Sequence, residues 1–404
     1  MAKVALNTPK GFRDFLGEEA RVRQNVANLL IEIFERFGFE PLTTPALEYA
    51  EILKGKYGEE EKLIYEFEDR GGRQVALRYD QTVPLSRVVA QYPNIVKPYK
   101  RYQVQNVWRA ENPQKGRYRE FLQVDLDTVG TLSLLSDAEI INVVITALEE
   151  LGFEKFTVRI NDRDIFNTLT PGVISAIDKL DKIGEEGVIS LIKAQSYSDS
   201  QAKEILRKVV ESTPTEQISN LFDFLEKQKV RPGTYAFDPT LARGLDYYTG
   251  VIFEVEIEGY TAGSVGGGGR YDKLIGTLSD SPIPAVGFSF GFDRLIEALS
   301  ELEIKGLKTN STQILVTTFS SEFLENSLEV ASSLRKEGVP TEIYLDPEMK
   351  LDKQLKYADQ KKIPYVVLLG PEEIKEKIVT LKKLSDGSQE KLKISQIKTK
   401  ISSV

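Results

Sequence analysis

Two stretches concentrate the groups able to do chemistry. The first runs from Thr240 to Asp272 and reads TLARGLDYYTGVIFEVEIEGYTAGSVGGGGRYD. It opens with a polar, aromatic turn, Arg243-Gly244-Leu245-Asp246-Tyr247-Tyr248-Thr249-Gly250. An apolar-alternating run follows, Val251 to Ile257, which predicts a half-buried strand. Four glycines, Gly266 to Gly269, then lead into Arg270-Tyr271-Asp272. Glycine has no Cβ, so this backbone can come very close to a neighbour. An arginine on each side, an acid and three tyrosines suit a small, polar, charged ligand. The second stretch is Lys97 to Arg119, with seven Lys and Arg against the single acid Glu111 and aromatic residues between them. The whole chain carries a net charge of −8. A basic segment in an acidic chain fits a local phosphate site, and a strand with charges solvated on one face is the plainer reading.

What is missing narrows the chemistry. The 404 residues include no His and no Cys. That excludes Ser-His-Asp and HExxH catalysis, thiolates, disulfides and Cys-based zinc sites. Any catalysis here is electrostatic and positional. Absence of histidine fits drift, engineering, or an enzyme that handles histidine and gains by not needing it. No apolar run approaches the ~20 residues that cross a bilayer. The N-terminal MAKVALNTPKGFRDF has no signal-like apolar core. Cytoplasm is therefore the expected compartment. The length allows two or three domains.

The elements that must position these groups can be read in order. Apolar residues from Val22 to Phe37 recur at helical spacing, predicting a helix over 18–38. Phe39 to Tyr49, punctuated by Pro41 and Pro45, is extended. Leu63–Phe67 and Arg73–Leu77 around Gly71-Gly72 predict a hairpin. Asp80 precedes a helix over 83–92, where an acid commonly caps the first turn. Residues 97–109 and 118–129 read as antiparallel strands, with Gln123, Asp125 and Asp127 alternating on one face. A helix over 136–152 is expected to start at Ser136 with Glu139 completing a capping box. A strand at 156–160 precedes a charged, aromatic-poor helical insertion at about 162–230. Neither glycine segment is a P-loop or a Rossmann fingerprint.

RGLDYYTG and GGGGRYD, taken together, resemble the two signature segments of histidyl-tRNA synthetases. Residues 18–49 resemble class II motif 1, residues 97–129 motif 2, and PAVGFSFGFDR at 284–294 motif 3. The resemblance implies an α+β fold: an antiparallel-sheet class II catalytic domain at 1–308 with a helical insertion, then an anticodon-binding α/β domain at 309–404. The C-terminal pattern of strands 313–317, 341–345 and 365–369 separated by helices agrees with a parallel or mixed sheet. Its 15 Lys and Arg against 14 Asp and Glu make tRNA binding there no inference from charge.

The implied activity is ATP-dependent activation of L-histidine to histidyl-adenylate, then transfer to tRNA(His), by a homodimer using Mg2+. Arg109 and Arg243 would stand across the α-phosphate, Glu111 at the adenine amino group, Arg117 at the γ-phosphate end, and Arg294 on the adenine or the γ-phosphate. Asp80 would take the substrate ammonium by a charge-assisted bond. Gln123, Asp127, Tyr247, Tyr248 and Tyr271 would form the histidine pocket, though each tyrosine could equally be packed core. Leu122 stands where many relatives carry His, and should point away from the Gln123/Asp127 face. The alternative is a regulatory subunit of ATP phosphoribosyltransferase. Such paralogues lack the C-terminal domain and the arginine matching Arg243, both of which this sequence keeps.

Overall fold

The computed structural model describes residues 6–242, 247–279, 281–304 and 311–402. Arg243 therefore lies outside the described residues. The chain divides into two compact units, residues 1–14 with 26–306, and residues 15–25 with 307–404.

The first unit contains strands β1 (Glu40–Pro41), β2 (Leu47–Tyr49), β3 (Glu66–Glu68), β4 (Gln74–Leu77), β5 (Tyr99–Trp108), β6 (Glu120–Val129), β7 (Phe156–Asp162), β8 (Tyr235–Phe237), β9 (Val251–Ile257), β10 (Gly266–Arg270) and β11 (Ala285–Gly291). Eight form one sheet in the order β1-β5-β6-β11-β10-β9-β7-β8. From β5 to β7 every neighbour is antiparallel; only the two outer pairs, β1–β5 and β7–β8, are parallel. Strands β2, β4 and β3 make a separate small antiparallel sheet.

The glycine run is itself a central strand. A Cβ on Gly268 would lie 2.0 Å from the Gly287 carbonyl, and one on Gly266 would strike the Phe288 ring at 2.6 Å. The space that side chains on β10 would need is filled by its neighbours. Phe253 and Phe288, both in register with Gly268, stack at 5.9 Å. Helix Leu134–Glu150, buried along most of its length, covers one side of the sheet region with Ile140, Ile141, Val144 and Leu148. Its cap is Ser133, whose side chain accepts from Leu135 N, and not Ser136. Ser136 instead donates to the Ser133 carbonyl at 2.6 Å, and Glu139 pairs with Lys100 at 2.9 Å. The expected capping box is thus replaced by a cap one turn earlier.

The expected insertion consists of helices Pro171–Ile177, Leu180–Lys193, Asp199–Val210 and Glu216–Lys227. They share a core of Val173, Ile177, Val188, Ile192, Leu206 and Val209. The whole module lies between β7 and β8, which are adjacent and parallel. Arg159 on β7 ties it to the sheet by pairing with Asp181 at 2.8 Å and with Asp238 and Glu256.

The second unit has strands β12 (Ile314–Val316), β13 (Thr341–Ile343), β14 (Tyr365–Leu368), β15 (Val379–Lys383) and β16 (Gln389–Leu392), ordered β13-β12-β14-β15-β16. The first three are parallel, as the strand–helix alternation predicts, and the last two antiparallel. The hairpin β15–β16 and the helices Pro371–Glu376 and Ile394–Ser402 go beyond the elements expected from the sequence.

One buried ion pair in the first unit sets a measurable requirement. Arg270 turns its guanidinium onto Asp137 and donates to Ser136 Oγ at 3.1 Å and the Thr131 carbonyl at 3.1 Å. Asp137 is fully buried. Removing one partner leaves a charge without compensation, so Arg270→Ala is expected to cost about 3–5 kcal/mol. Urea unfolding monitored by far-UV dichroism measures it, and Arg270→Met combined with Asp137→Leu should recover much of the loss.

Candidate active site

A cavity of about 440 Å3 opens over the central sheet of the first unit. Asp80, Arg109, Glu111, Arg117, Gln123, Asp127, Tyr247, Tyr248, Tyr271 and Arg294 all line it. The topology explains how residues so far apart in sequence meet. Strand β6 lies between β5 and β11, so Gln123, Asp125 and Asp127 form the floor opposite Gly291, Ser289 and Gly287. Leu122, one residue before Gln123 and on the opposite side of the pleat, is not part of the lining.

At one end the floor is acidic and the walls aromatic. Asp127 accepts from the Tyr271 hydroxyl and pairs through Oδ2 with Arg101 at 2.7 Å. Both residues of that pair are buried. Burial drives the Asp127 carboxyl upward in pKa and the Arg101 guanidinium opposes it. Gly287 makes room for this acid, since a Cβ there would lie 1.8 Å from Asp127 Oδ1. Asp80 takes Tyr57 OH at 2.9 Å and the Val83 backbone N–H at 3.1 Å, both on Oδ1. Asp80 therefore caps the first turn of helix Thr82–Gln91 and lines the cavity as well. Its burial raises its pKa. Tyr247 contacts Tyr248 at 4.9 Å and Tyr271 at 5.9 Å, making one aromatic wall.

The other end is basic. Arg109 lies over the rings of Tyr79 (4.4 Å) and Phe121 (5.1 Å), and its Nε donates to the Tyr79 carbonyl at 3.2 Å. That clamp fixes the plane of the guanidinium. Arg117 pairs with Glu111 at 3.4 Å. Arg294, near the start of helix Phe292–Glu301, donates to the Ser264 carbonyl at 3.0 Å. Desolvation and the nearby Arg117 lower its pKa. Gly116 sits at φ +68 with its Cα facing Arg294, a backbone state glycine adopts readily. Arg13 bridges two walls, lying 3.2 Å over the Tyr118 ring and bonding Asp293 at 2.8 Å.

Arg270 is the exception among the arginines singled out around the glycines. Its guanidinium goes to Asp137, away from any ligand role. The basic segment is likewise mostly spent on structure: Arg101 on Asp127, Lys100 on Glu139, Lys115 on Glu301. Tyr57, Tyr79, Glu60, Glu254 and Ser289 also line the cavity, as does Asp125, which the sequence places on the Gln123/Asp127 face without a role. For Asp125 the signal was present, in its period-2 alternation with Gln123 and Asp127. Glu254 shares its face of β9 with a second acid, Glu256, so its type and spacing alone did not mark it.

Comparison with known proteins sets the class first. Residues 313–403 match the family model "Anticodon binding domain". Residues 11–183 and 174–295 match the model "Histidyl-tRNA synthetase". A protein named Histidine--tRNA ligase from Cytophaga hutchinsonii is 38% identical over 97% of this chain and 98% of its own. One of the same name from Wolinella succinogenes is 40% identical over 96% and 97%. The crystal structure of histidyl-tRNA synthetase from Nostoc sp. PCC 7120 superposes with a TM-score of 0.88 at 29% identity, covering 98% of this chain and all of that one. The chain belongs to the histidyl-tRNA synthetase family.

The close fit of Asp127 against β11 is testable. Gly287→Ala is expected to overpack the floor and cost about 1–3 kcal/mol. A drop in Tm by differential scanning fluorimetry, together with weakened histidine binding in calorimetry, is the expected result.

Proposed function

We propose that this chain activates L-histidine with ATP and passes the histidyl group to tRNA(His). The carrying observation is one cavity with an acidic, tyrosine-walled end and an arginine-lined end. In this reading the histidine carboxylate attacks the α-phosphorus of ATP and pyrophosphate leaves in line. A hydroxyl of the terminal adenosine of the tRNA then attacks the histidyl carbonyl and AMP leaves. Arg109, packed against the Tyr79 and Phe121 rings, holds the α-phosphate and the attacking carboxylate. Arg243 is assigned the opposite side of the same phosphate. Glu111 takes the adenine amino group, with Arg117 and Arg294 toward the γ-phosphate and adenine. Asp80 pairs with the substrate ammonium. Asp127 accepts an imidazole N–H, and a site built on such a bond rejects analogues that lack it. Gln123, Tyr247, Tyr248 and Tyr271 complete the pocket.

Mg2+ accompanies ATP in this reading and neutralises phosphate charge. Among the described residues no cluster of three or more acids forms a cage. An ion held mainly by phosphate oxygens needs one or two carboxylates, and the acids lining the cavity, Glu254 among them, would supply them. A homodimer is supported by an exposed apolar face on the small sheet. By register Leu47, Tyr49 and Phe67 share that face with Val75 and Leu77, and the first three are 43%, 52% and 46% exposed. No described helix is long and apolar enough to cross a membrane, and the cytoplasm, where tRNA is charged, is the assigned compartment. The curated relatives carry the synthetase name and residues 313–403 match an anticodon-binding model. Both favour charging of tRNA over the regulatory-subunit alternative.

Histidine-dependent exchange of labelled pyrophosphate into ATP, in the presence of Mg2+, tests the activity directly. Absence of exchange in a folded sample would overturn it. Arg243→Ala is expected to leave histidine binding intact and slow exchange by at least ~100-fold, the scale for losing one transition-state donor.

A further inference from the structure

We propose that Asp125 is a positioning residue for the amino-acid substrate, fixing the Gln123 carboxamide so that its oxygen is the atom left for the substrate ammonium. The inference rests on the reading of this cavity as the histidine site. Asp125 lines the cavity between Gln123 and Asp127 on β6 and is 1% exposed. Gln123 Nε2 donates to Asp125 Oδ1 at 3.1 Å and to Ser289 Oγ at 2.7 Å. Ser289 stands opposite Asp125 in the β6–β11 register and donates its own hydroxyl to the carboxylate. Both N–H groups of the carboxamide are therefore spent within the floor. Its oxygen, in contrast, is buried with no hydrogen-bond partner among the described residues.

A buried acceptor without a donor calls for an explanation. An ammonium offers three donors and no acceptor. With the amide reversed, N–H would face N–H and repel the substrate. An ionised carboxylate can only accept, so it forbids the reversed amide. Once protonated, Asp125 gains a donor that needs an acceptor. The reversed carboxamide supplies one, and the amide oxygen is then withdrawn from the substrate. The ionised form is thus the binding form.

The surroundings make that switch accessible near neutrality. Burial, with Asp127 and Asp80 adding like charge, pushes the Asp125 carboxyl up to about 7, while Arg101 on β5 pulls it down. Arg78, after β4, also faces it. On this account amino-acid affinity falls as pH drops through the Asp125 titration. The effect is separate from titration of the substrate's own imidazole.

The test compares wild type and Asp125→Asn from about pH 6 to pH 8.5, a window spanning an ordinary imidazole titration. Kd is measured by calorimetry and KM by pyrophosphate exchange. Both use histidine and 1,2,4-triazole-3-alanine, whose ring does not titrate in this window. Asn accommodates either amide orientation, so at pH 8 the variant's KM for the amino acid should rise at least about twofold, the factor by which two equally populated orientations dilute the binding form. Its KM for ATP and its kcat should hardly change. Wild-type KM for the triazole should climb toward pH 6, and the variant's profile should be flat. An unchanged amino-acid KM in the variant at pH 8, or equal losses in ATP KM and kcat, would overturn the proposal. If Asp125→Asn fails to fold, the wild-type triazole profile decides alone, and a flat one overturns it. A wild-type enzyme with no exchange at any pH would instead refute the histidine reading on which the proposal rests.

Discussion

Desolvated charge is the constraint around which the first unit is built. Asp80, Asp125 and Asp127 are all buried beneath one cavity, and Arg101, at 0% exposure, is the buried cation paired with Asp127. Taking an ion out of water costs several kcal/mol even after relaxation. The floor compensates with hydrogen bonds from Tyr57, Tyr271, Ser289 and the first turn of helix Thr82–Gln91. It remains richer in carboxylates than in cations. A cavity floor of this kind favours a ligand group carrying positive charge.

The glycines make that arrangement sterically possible. Side chains on β10 would exclude the stacked Phe253 and Phe288, and a side chain at Gly287 would displace Asp127. The backbone here is smooth because the neighbours need the volume. Glycine weakens a strand through its conformational entropy, and in this sheet that loss is offset by hydrogen-bonded partners on both sides of β10.

Much of this was legible in the sequence, for physical reasons that differ by element. Strand β9 was readable to the residue, because Val251 to Ile257 alternates and is bounded by Gly250 and Glu258-Gly259. Strands β5 and β6 were readable as a pair, since the runs at 97–109 and 118–129 flank a short loop. All ten described members of the expected site line one cavity, since residue type and spacing on β6 already put Gln123 and Asp127 on one face. Ser133 was missed as a cap because Ser136 with Glu139 matches the same local pattern, and only the packing of the helix chooses between them. The Arg270 misreading has a similar origin. Sequence shows a cation beside a glycine run, but its partner Asp137 lies far away along the chain. Strands β15 and β16 were hidden because their lysines and glutamates mask the alternation of an edge hairpin.

The helical insertion has a place in the topology with its own implication. Adjacent parallel strands cannot be joined by a tight turn and require a crossover. Between β7 and β8 that obligatory connection has been enlarged into a body with its own apolar centre. Its length is thereby uncoupled from strand registration. Residues can be gained or lost within it without sliding β7 against β9, which leaves this module free to diversify while the catalytic floor stays unchanged.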